Sequence, residues 1–592
     1  MALDDSPDPL SLFAEPVAAW FRSSFTAPTP PQAQGWPAIA GGEHTLILAP
    51  TGSGKTLTAF LWGLNQLMTT EPPPAKARTR IVYVSPLRAL AVDVDKNLRA
   101  PLNGIALAAE RLGTALHHVP QVGVRTGDTP ADVRHTLVRQ PPDILITTPE
   151  SLYLMLTSQA RETLVNVESV IIDEIHALAA TKRGAHLALT LERLARVTAR
   201  PPQRIGLSAT QRPLDEIARF LGGFDTTAGA DRPTPRPVRI VDAGVRKPLE
   251  LEVVVPVEDL SQLGELLEEP ASGPLAAGPV RRSIWPSIHP RLLELVKQHR
   301  STIIFVNARR LAERLASRLN ELEAEQLTFR AGESMGTSVA DPAHELVKAH
   351  HGSLSRERRL LIEDELKSGR LKGLVATSSL ELGIDMGAVD LVIQVESPGA
   401  VSAGLQRIGR AGHQVGEPSR GKLFPKHRAD LIEAAVVTQR MRDGQIEATR
   451  YPRNPLDVLC QQIVAMVALD DLPLDTIART VRGAANFAEL SDEQLRNVVD
   501  LLSVATPPRS SPSCAPVSCG TGWPTWSRPG REPSAWPSPT PAPSPTAAST
   551  ACSCPTAPGW ATGRGDGLRV APGRDVPAGL SPGASRTSRS TG

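Results

Sequence analysis

Residues 44 to 56 read HTLILAPTGSGKT. A short apolar run (Leu46, Ile47, Leu48) enters a Gly-rich loop. A helix follows whose apolar residues Leu57, Phe60, Leu61, Leu64 and Leu67 recur at helical spacing. Strand, tight loop and buried helix in that order build a phosphate cradle. Because Gly52 and Gly54 carry no Cβ, backbone N–H groups along the loop from Thr51 through Gly52, Ser53 and Gly54 can close around the β- and γ-phosphates of a nucleotide, and Lys55 adds a point charge. Thr56 supplies a hydroxyl for Mg²⁺, and the helix N-terminus faces the same phosphates. Ala49 stands where the usual pattern opens with Gly.

The string VIIDEIH at 170 to 176 completes this chemistry. Val170, Ile171 and Ile172 form a buried strand. Asp173 and Glu174 follow at its carboxyl end, where ligands bind in open α/β sheets. Alone, two such acids read as surface groups capping a helix. Paired with the loop, Asp173 is expected to hold Mg²⁺ through water, and Glu174 to orient and deprotonate the attacking water.

Strand-like runs recur at 81 to 84, 144 to 146, 170 to 172 and 205 to 207, and each ends in small or polar residues: SPLRAL, TTPESL, DEIH and SAT. Apolar runs of strand length alternating with helical patterns predict parallel α/β units with polar loops along one edge. A Pro/Gly-rich, charged stretch at 226 to 290 interrupts the series, which resumes with TIIFVNARR (302 to 310), HHGSLSRERR (350 to 359), GLVATSSLELGIDM (373 to 386), LVIQVESP (391 to 398) and QRIGRAGH (406 to 413). No second phosphate loop accompanies it. Arg407 and Arg410 lie three apart, on one helical face, and could reach across an interdomain cleft as arginine fingers on the transferred phosphoryl group; singly they read as a solvent-facing basic helix.

After Tyr451 helices follow one another without strands. Leu456, Leu459, Ile463, Met466 and Val467 make one stripe, and Ser491 with Gln494 looks like a capping box that opens the last helix. A helix-turn-helix or winged-helix module and a generic bundle both fit this pattern. His344-Glu345 is followed by His350 rather than by a His at metalloprotease spacing. His350 and His351 adjoin on a strand end and should point to opposite faces, so neither pattern predicts a metal.

The body of the chain is not basic. The last 88 residues, 505 to 592, hold eight Arg against Glu532, Asp566 and Asp575, a net +5; the remaining residues carry 56 basic and 59 acidic groups, a net −3. Any nucleic-acid groove must therefore rest on local clusters such as Arg356 with Arg358 and Arg359. Cys460 falls in a helical apolar pattern and reads as core; the other cysteines lie in the tail without C-x-x-C spacing, which predicts a reducing compartment and no structural metal. The N-terminus is acidic and no apolar run reaches membrane-spanning length, so the expected location is the cytoplasm, with no membrane partner.

On the strings TPPQ (29 to 32), APTGSGKT, SPLRAL, RTGDT (125 to 129), TTPESL, DEIH, LSAT, HHGSLSRERR, ATSSLELGIDMG and QRIGRAGH, in that order over residues 25 to 420, the chain resembles superfamily 2 helicases. Through GRAGH and RRSIWP (281 to 286) it is similar more closely to the large helicase-related (Lhr) family of DNA helicases. The resemblance implies two RecA-like domains with ATP and Mg²⁺ bound between them, single-stranded DNA or an RNA:DNA hybrid across their top, 3′-to-5′ translocation and a role in DNA repair. By position it implies that Gln32 reads adenine, that Lys55, Thr56, Asp173 and Glu174 form the ATPase site, and that Asp385 touches the ribose. It further implies that Arg407 and Arg410 act as fingers, that Ser208 and Thr210 couple hydrolysis to domain movement, and that Arg88, Thr148, Thr377 and Ser378 hold the DNA backbone. His413 stands where many relatives carry Arg. An RNA helicase, or a nucleic-acid-binding fragment without motor activity, are the alternatives.

The expected organisation is α/β: an N-terminal extension (1–24), two RecA-like parallel-sheet domains in tandem (25–235 and 236–450), a small helical, winged-helix-like module (451–504) and a disordered tail (505–592). The tail lacks Lys, Asn, Gln, His, Ile, Phe, Tyr and Met, yet it holds four of the eight Trp and four of the five Cys. Such a composition cannot bury a core. It is also what GC-rich codons displaced by one base would encode, whereas an evolved Pro-rich linker seldom scatters Trp523, Trp526, Trp536 and Trp560 without repeats. Reading the underlying DNA in its other two frames should restore a helicase-like continuation beyond codon 505; its absence from both would refute the frameshift.

Overall fold

The computed structural model describes residues 8–50, 52–209, 211–226, 233–242, 247–257, 259–260, 283–331, 345–381, 389–412, 417–504 and 525–526. Its first sheet has the strands β1 (Thr45–Leu48), β2 (Ile81–Val84), β3 (Val122–Arg125), β4 (Ile144–Thr147), β5 (Ser169–Ile172) and β6 (Gln203–Ser208). Beyond a two-residue antiparallel pair, β7 (Phe224–Asp225) with β8 (Thr234–Pro235), comes β9 (Arg239–Asp242). The seven sheet strands run parallel in the order β3-β4-β2-β5-β6-β1-β9. The central strands are buried along nearly their whole length because helices cover both faces. On β1, Leu46 and Leu48 face one core and Ile47 the other, the period of two that a strand imposes.

The second sheet comprises β10 (Leu249–Val253), β11 (Thr302–Phe305), β12 (Val347–His350), β13 (Gly373–Ala376), β14 (Leu391–Val395) and β15 (Ser419–Phe424), parallel in the order β10-β15-β14-β11-β13-β12. The strand runs read from the sequence are present. Strands β3 and β9 escaped the pattern because they are only partly buried and so lack a continuous apolar run. Since β9 pairs with β1, the first domain reaches Asp242 rather than 235.

Two sequence-based boundaries shift for packing reasons. The expected N-terminal extension belongs to the first domain: the helix Glu15–Ser24 packs on the helix Arg88–Leu112, and Phe13 and Phe21 meet Trp36 edge-on at 5.0 and 5.3 Å. Gly104 permits that approach, for a Cβ there would lie 2.2 Å from the Trp20 indole nitrogen. At the other end the helices Leu456–Val467, Leu474–Gly483 and Asp492–Val504 merge with one face of the first domain in a shared core that includes Tyr451, Leu459, Ile463 and Phe487. Cys460 packs at its margin. Arg193 donates to Gln462 (2.7 Å) and Lys182 pairs with Asp457 (2.7 Å) across this junction. Leu472–Pro473 (β16) pairs antiparallel with Thr525–Trp526 (β17), so those two tail residues form a strand; the rest of 505–592 lies outside the described residues, as does the expectation of disorder there. No helix among the described residues is long and apolar enough to cross a membrane.

Behind the first sheet, Glu192 is buried between two guanidiniums, Arg204 at 2.8 Å and Arg236 at 2.8 Å. Gly483 of the C-terminal module closes over it, with space for no side chain: a Cβ would stand 2.5 Å from the Glu192 carboxylate. Buried charges are tolerated only when each is matched. Glu192→Ala leaves Arg204 without its counter-charge and should lower the unfolding free energy by about 3–5 kcal/mol in denaturant melts; an unchanged midpoint would show that the triad is not holding the two parts together.

Candidate nucleotide site in the interdomain cleft

The loop after β1 has the expected backbone. Gly52 and Gly54 sit at φ +83° and +81°, the left-handed region open to Gly, and the helix Lys55–Thr69 starts on Gly54. Thr51 lies outside the described residues. The loop is held from below by TPPQ: Thr29 Oγ1 donates to the Ser53 carbonyl at 2.9 Å, and the Thr29 amide donates to Gln32 Oε1 at 2.9 Å. The buried Gln32 amide nitrogen would lie 2.7 Å from any Cβ on Gly54. Gln32, assigned to adenine by resemblance, thus also packs against the phosphate loop itself.

Strand β5 delivers Asp173 and Glu174, 7% and 8% exposed, beside this loop. Glu174 occupies φ +43°, a strained position for a side-chain-bearing residue and one that active sites often retain. The Glu174 amide donates to Asp173 Oδ1 at 2.9 Å, and the Tyr83 hydroxyl donates to Asp173 Oδ2. Burial pushes the Asp173 carboxyl up to about 7, with the neighbouring Glu174 charge adding to the rise. Burial pushes Glu174 up as well, yet Lys55, His176 and Arg410 together hold it below the ordinary range. A carboxylate held ionised beside one that is hard to ionise fits a base next to a cation ligand. With the Cβ-free cradle and Lys55, the donor set fits a Mg²⁺–nucleotide: the loop and Lys55 would hold the phosphates, and Thr56 and Asp173 the ion.

His176 is a link that motif reading did not supply. Its Nδ1 lies 3.4 Å from Glu174 Oε2 and 3.3 Å from Ser208 Oγ, and it accepts from the Ala209 amide at 3.3 Å. Burial lowers its pKa, and the neighbouring Glu174 charge opposes that shift. Ser208, expected to couple hydrolysis to movement, is therefore one imidazole away from Glu174; Thr210 lies outside the described residues. Tyr83 was equally invisible, because only the β2–β5 pairing sets it beside Asp173.

The second domain supplies the far wall. Arg410 lines a cavity of about 380 Å³ together with Glu174, His176, Pro50 and Ala209. Its Nη2 donates to the Glu381 carbonyl at 2.7 Å. Arg407 is not in that wall, a correction to the paired-finger expectation. Only 6% exposed, it donates to Glu381 Oε1 (2.6 Å), Gln394 Oε1 (2.9 Å) and Asn307 Oδ1 (3.1 Å), all in its own domain, and lies over the Phe305 ring. Three apart fits one helical face, but Arg410 falls beyond the last turn of the helix Val401–Ile408. Asp385 and His413 lie outside the described residues.

The proposed backbone-contacting residues gather at carboxyl ends of strands. Arg88 opens the helix after β2 and pairs with Asp128 of RTGDT. Buried Thr148 follows β4 and bonds Ser151 at 3.1 Å. Thr377 and Ser378 follow β13, with the Thr377 amide donating to the His350 carbonyl at 3.3 Å. Arg88, Thr126 and Asp128 share a groove with Arg359 and Glu363 of the second domain. His350 and His351 turn to different carboxylates, Glu363 (3.1 Å) and Glu313 (2.9 Å).

Comparison with known proteins follows the same order of parts. Residues 29–217 match the DEAD/DEAH box helicase family, 288–414 the helicase conserved C-terminal domain and 439–510 the winged helix domain of large helicase-related proteins. The chain belongs to the Lhr family of superfamily 2 helicases. It is 52% identical over 510 residues to the Lhr helicase/probable uracil glycosylase of Mycolicibacterium smegmatis, covering 84% of this chain and 32% of that protein. It is 47% identical over 520 residues to the Lhr helicase/uracil glycosylase of Escherichia coli, covering 84% and 33%. The chain thus spans about a third of the length of these relatives. The solved structure of Mycobacterium smegmatis helicase Lhr bound to ssDNA and AMP-PNP superposes with a TM-score of 0.73, covering 84% of this chain and 58% of that one. The Lhr-type winged helix accounts for the three helices after Tyr451, which the sequence left open between a winged helix and a bundle.

The two arginines should behave differently. Arg410→Ala should depress kcat for ATP hydrolysis by about 10³-fold without lowering the melting temperature, as an arginine finger acts on charge that grows in the transition state. Arg407→Ala should instead cost about 3 kcal/mol of stability by stripping a buried ion pair. Equal kinetic losses at unchanged stability would restore Arg407 to the cleft.

Proposed function

We propose that this chain is an ATP-driven translocase on single-stranded DNA, moving 3′ to 5′ and able to displace a paired strand, RNA:DNA hybrids included, in DNA repair in the cytoplasm. The observation that carries the reading is the convergence of Lys55, Asp173 and Glu174 from one parallel sheet with Arg410 from the other across a single cleft. The ssDNA and AMP-PNP in the 52% identical relative support the choice of ligands.

In this reading the phosphate loop and Lys55 bind and orient the nucleotide phosphates, while Thr56 and Asp173 hold Mg²⁺, which supplies charge neutralisation at the transferred phosphoryl group. Glu174, kept ionised, accepts the proton of the attacking water. Arg410 meets charge that develops as the bond to the leaving group lengthens. His176 passes the state of Glu174 to Ser208, and closure moves Arg88 and Thr148 relative to Thr377 and Ser378, which grip the DNA backbone without reading sequence.

The test is ATP hydrolysis by the full chain with oligo-dT and oligo-U of equal length. DNA should stimulate turnover about 10-fold or more over RNA, and Glu174→Gln should bind nucleotide normally but lose turnover, since the base is gone while the cradle stays. Equal stimulation by RNA would make it an RNA helicase. Binding of DNA without stimulation would make it a non-motor binding fragment.

A further inference from the structure

The helix Val401–Ile408, which leads into the Arg410 turn, is gripped at both ends by residues from the two segments that pass between the domains. At its N-terminus Glu447 takes both first-turn amides, Val401 N–H at 2.5 Å and Ser402 N–H at 3.2 Å. Past its C-terminus Lys247 Nζ donates to the carbonyls of Ala411 and Gly412, each at 2.6 Å, and Ser419 Oγ donates to the same Ala411 carbonyl at 2.8 Å. A carboxylate at the amino end and an ammonium at the carboxyl end both complement the helix dipole. Lys247 leads into β10 just after the first domain's last strand, and Glu447 follows the helix Arg428–Asp443 that closes the second domain.

The segment around Glu447 is also tied to the first domain. Ala448 bridges Arg212, the Thr449 amide donates to the Arg212 carbonyl at 2.7 Å, and Thr449 Oγ1 donates to Gln211 Oε1 at 2.5 Å. Gln211 and Arg212 come directly after the SAT loop whose Ser208 and Ala209 bond His176. Two residues beyond Thr449, Tyr451 is buried in the core shared by the first domain and the winged helix. Residues 447 to 449 therefore touch the finger helix on one side and the end of the SAT loop on the other.

We propose that Glu447 is a positioning residue for Arg410: the strap 447–449 sets the helix Val401–Ile408 according to the SAT loop, so that the arginine reaches the cleft only when the first domain's acid–imidazole–serine chain is in its hydrolytic arrangement. The kinetic consequence rests on the ATPase reading above, whereas the mechanical linkage does not.

Two measurements on the full chain separate these. In hydrogen exchange, Glu447→Ala should speed exchange in peptides covering 401–412 and also in those covering 209–214; acceleration confined to 401–408 would leave an isolated helix cap and overturn the strap. In steady-state hydrolysis, Glu447→Ala should lower kcat about 10-fold, the scale of losing a helix cap, with the Kd for nucleotide and for oligo-dT unchanged, and Glu447→Gln, which keeps an acceptor, should recover most of it. The double variant Glu447→Ala/Arg410→Ala should be no slower than Arg410→Ala alone, because both act through one group. Additive losses would mean that Glu447 does not work through Arg410. A wild-type chain without ATP hydrolysis would sink the motor reading, and the exchange data would then decide the strap by themselves.

Discussion

Two adjacent carboxylates buried at the end of β5 are the constraint around which the cleft is organised. Asp173 and Glu174 cannot both be ionised in a low-dielectric site without nearby positive charge. Lys55, Arg410 and the Tyr83 hydroxyl address that problem from three directions: the phosphate-loop helix, the second domain and the neighbouring strand. Lys55 and Arg410 are also the groups to which the proposed ATPase assigns the phosphates. The electrostatic demand of the acid pair and the assembly of the site are one requirement.

A second feature is the division of the molecule into mechanical units. The winged-helix module shares its core with the first RecA-like domain and is closed over the Glu192 triad by Gly483, so it belongs structurally to that domain although the chain reaches it through the second. The two crossings, near Lys247 and near Glu447, flank the Arg410 turn: Glu447 meets the start of the helix Val401–Ile408 and Lys247 the carbonyls of Ala411 and Gly412 beyond its end. In the proposed linkage, movement between the domains would be delivered close to Arg410, where about an ångström of displacement alters catalysis strongly.

The proposed nucleic-acid edge follows from the same sheets. Parallel strands deliver their carboxyl ends to one side of each sheet, so the loops carrying Arg88 and Thr148 share one edge of the first sheet, and Thr377 and Ser378 sit at the corresponding edge of the second. That geometry lets a body with net negative charge still offer a groove with local basic groups, Arg88 and Arg359.

Much of this was legible in the sequence because its determinants are local. A Gly-rich turn between a strand and a helix, an acidic strand end and apolar runs of fixed period each encode their own geometry, which is why the parallel α/β class, the phosphate loop and the Asp173–Glu174 pair could be read from residues alone. Contacts that depend on strand order and register could not. Tyr83 meets Asp173 only because β2 lies beside β5, and Trp36 is enclosed by Phe13 and Phe21 only once two helices have packed. Arg407 and Arg410 differ because the helix between them ends, turning one guanidinium into the domain and the other into the cleft. Sequence spacing specifies which groups share an element, whereas the free energy of burying and pairing charges across elements decides which of them meet.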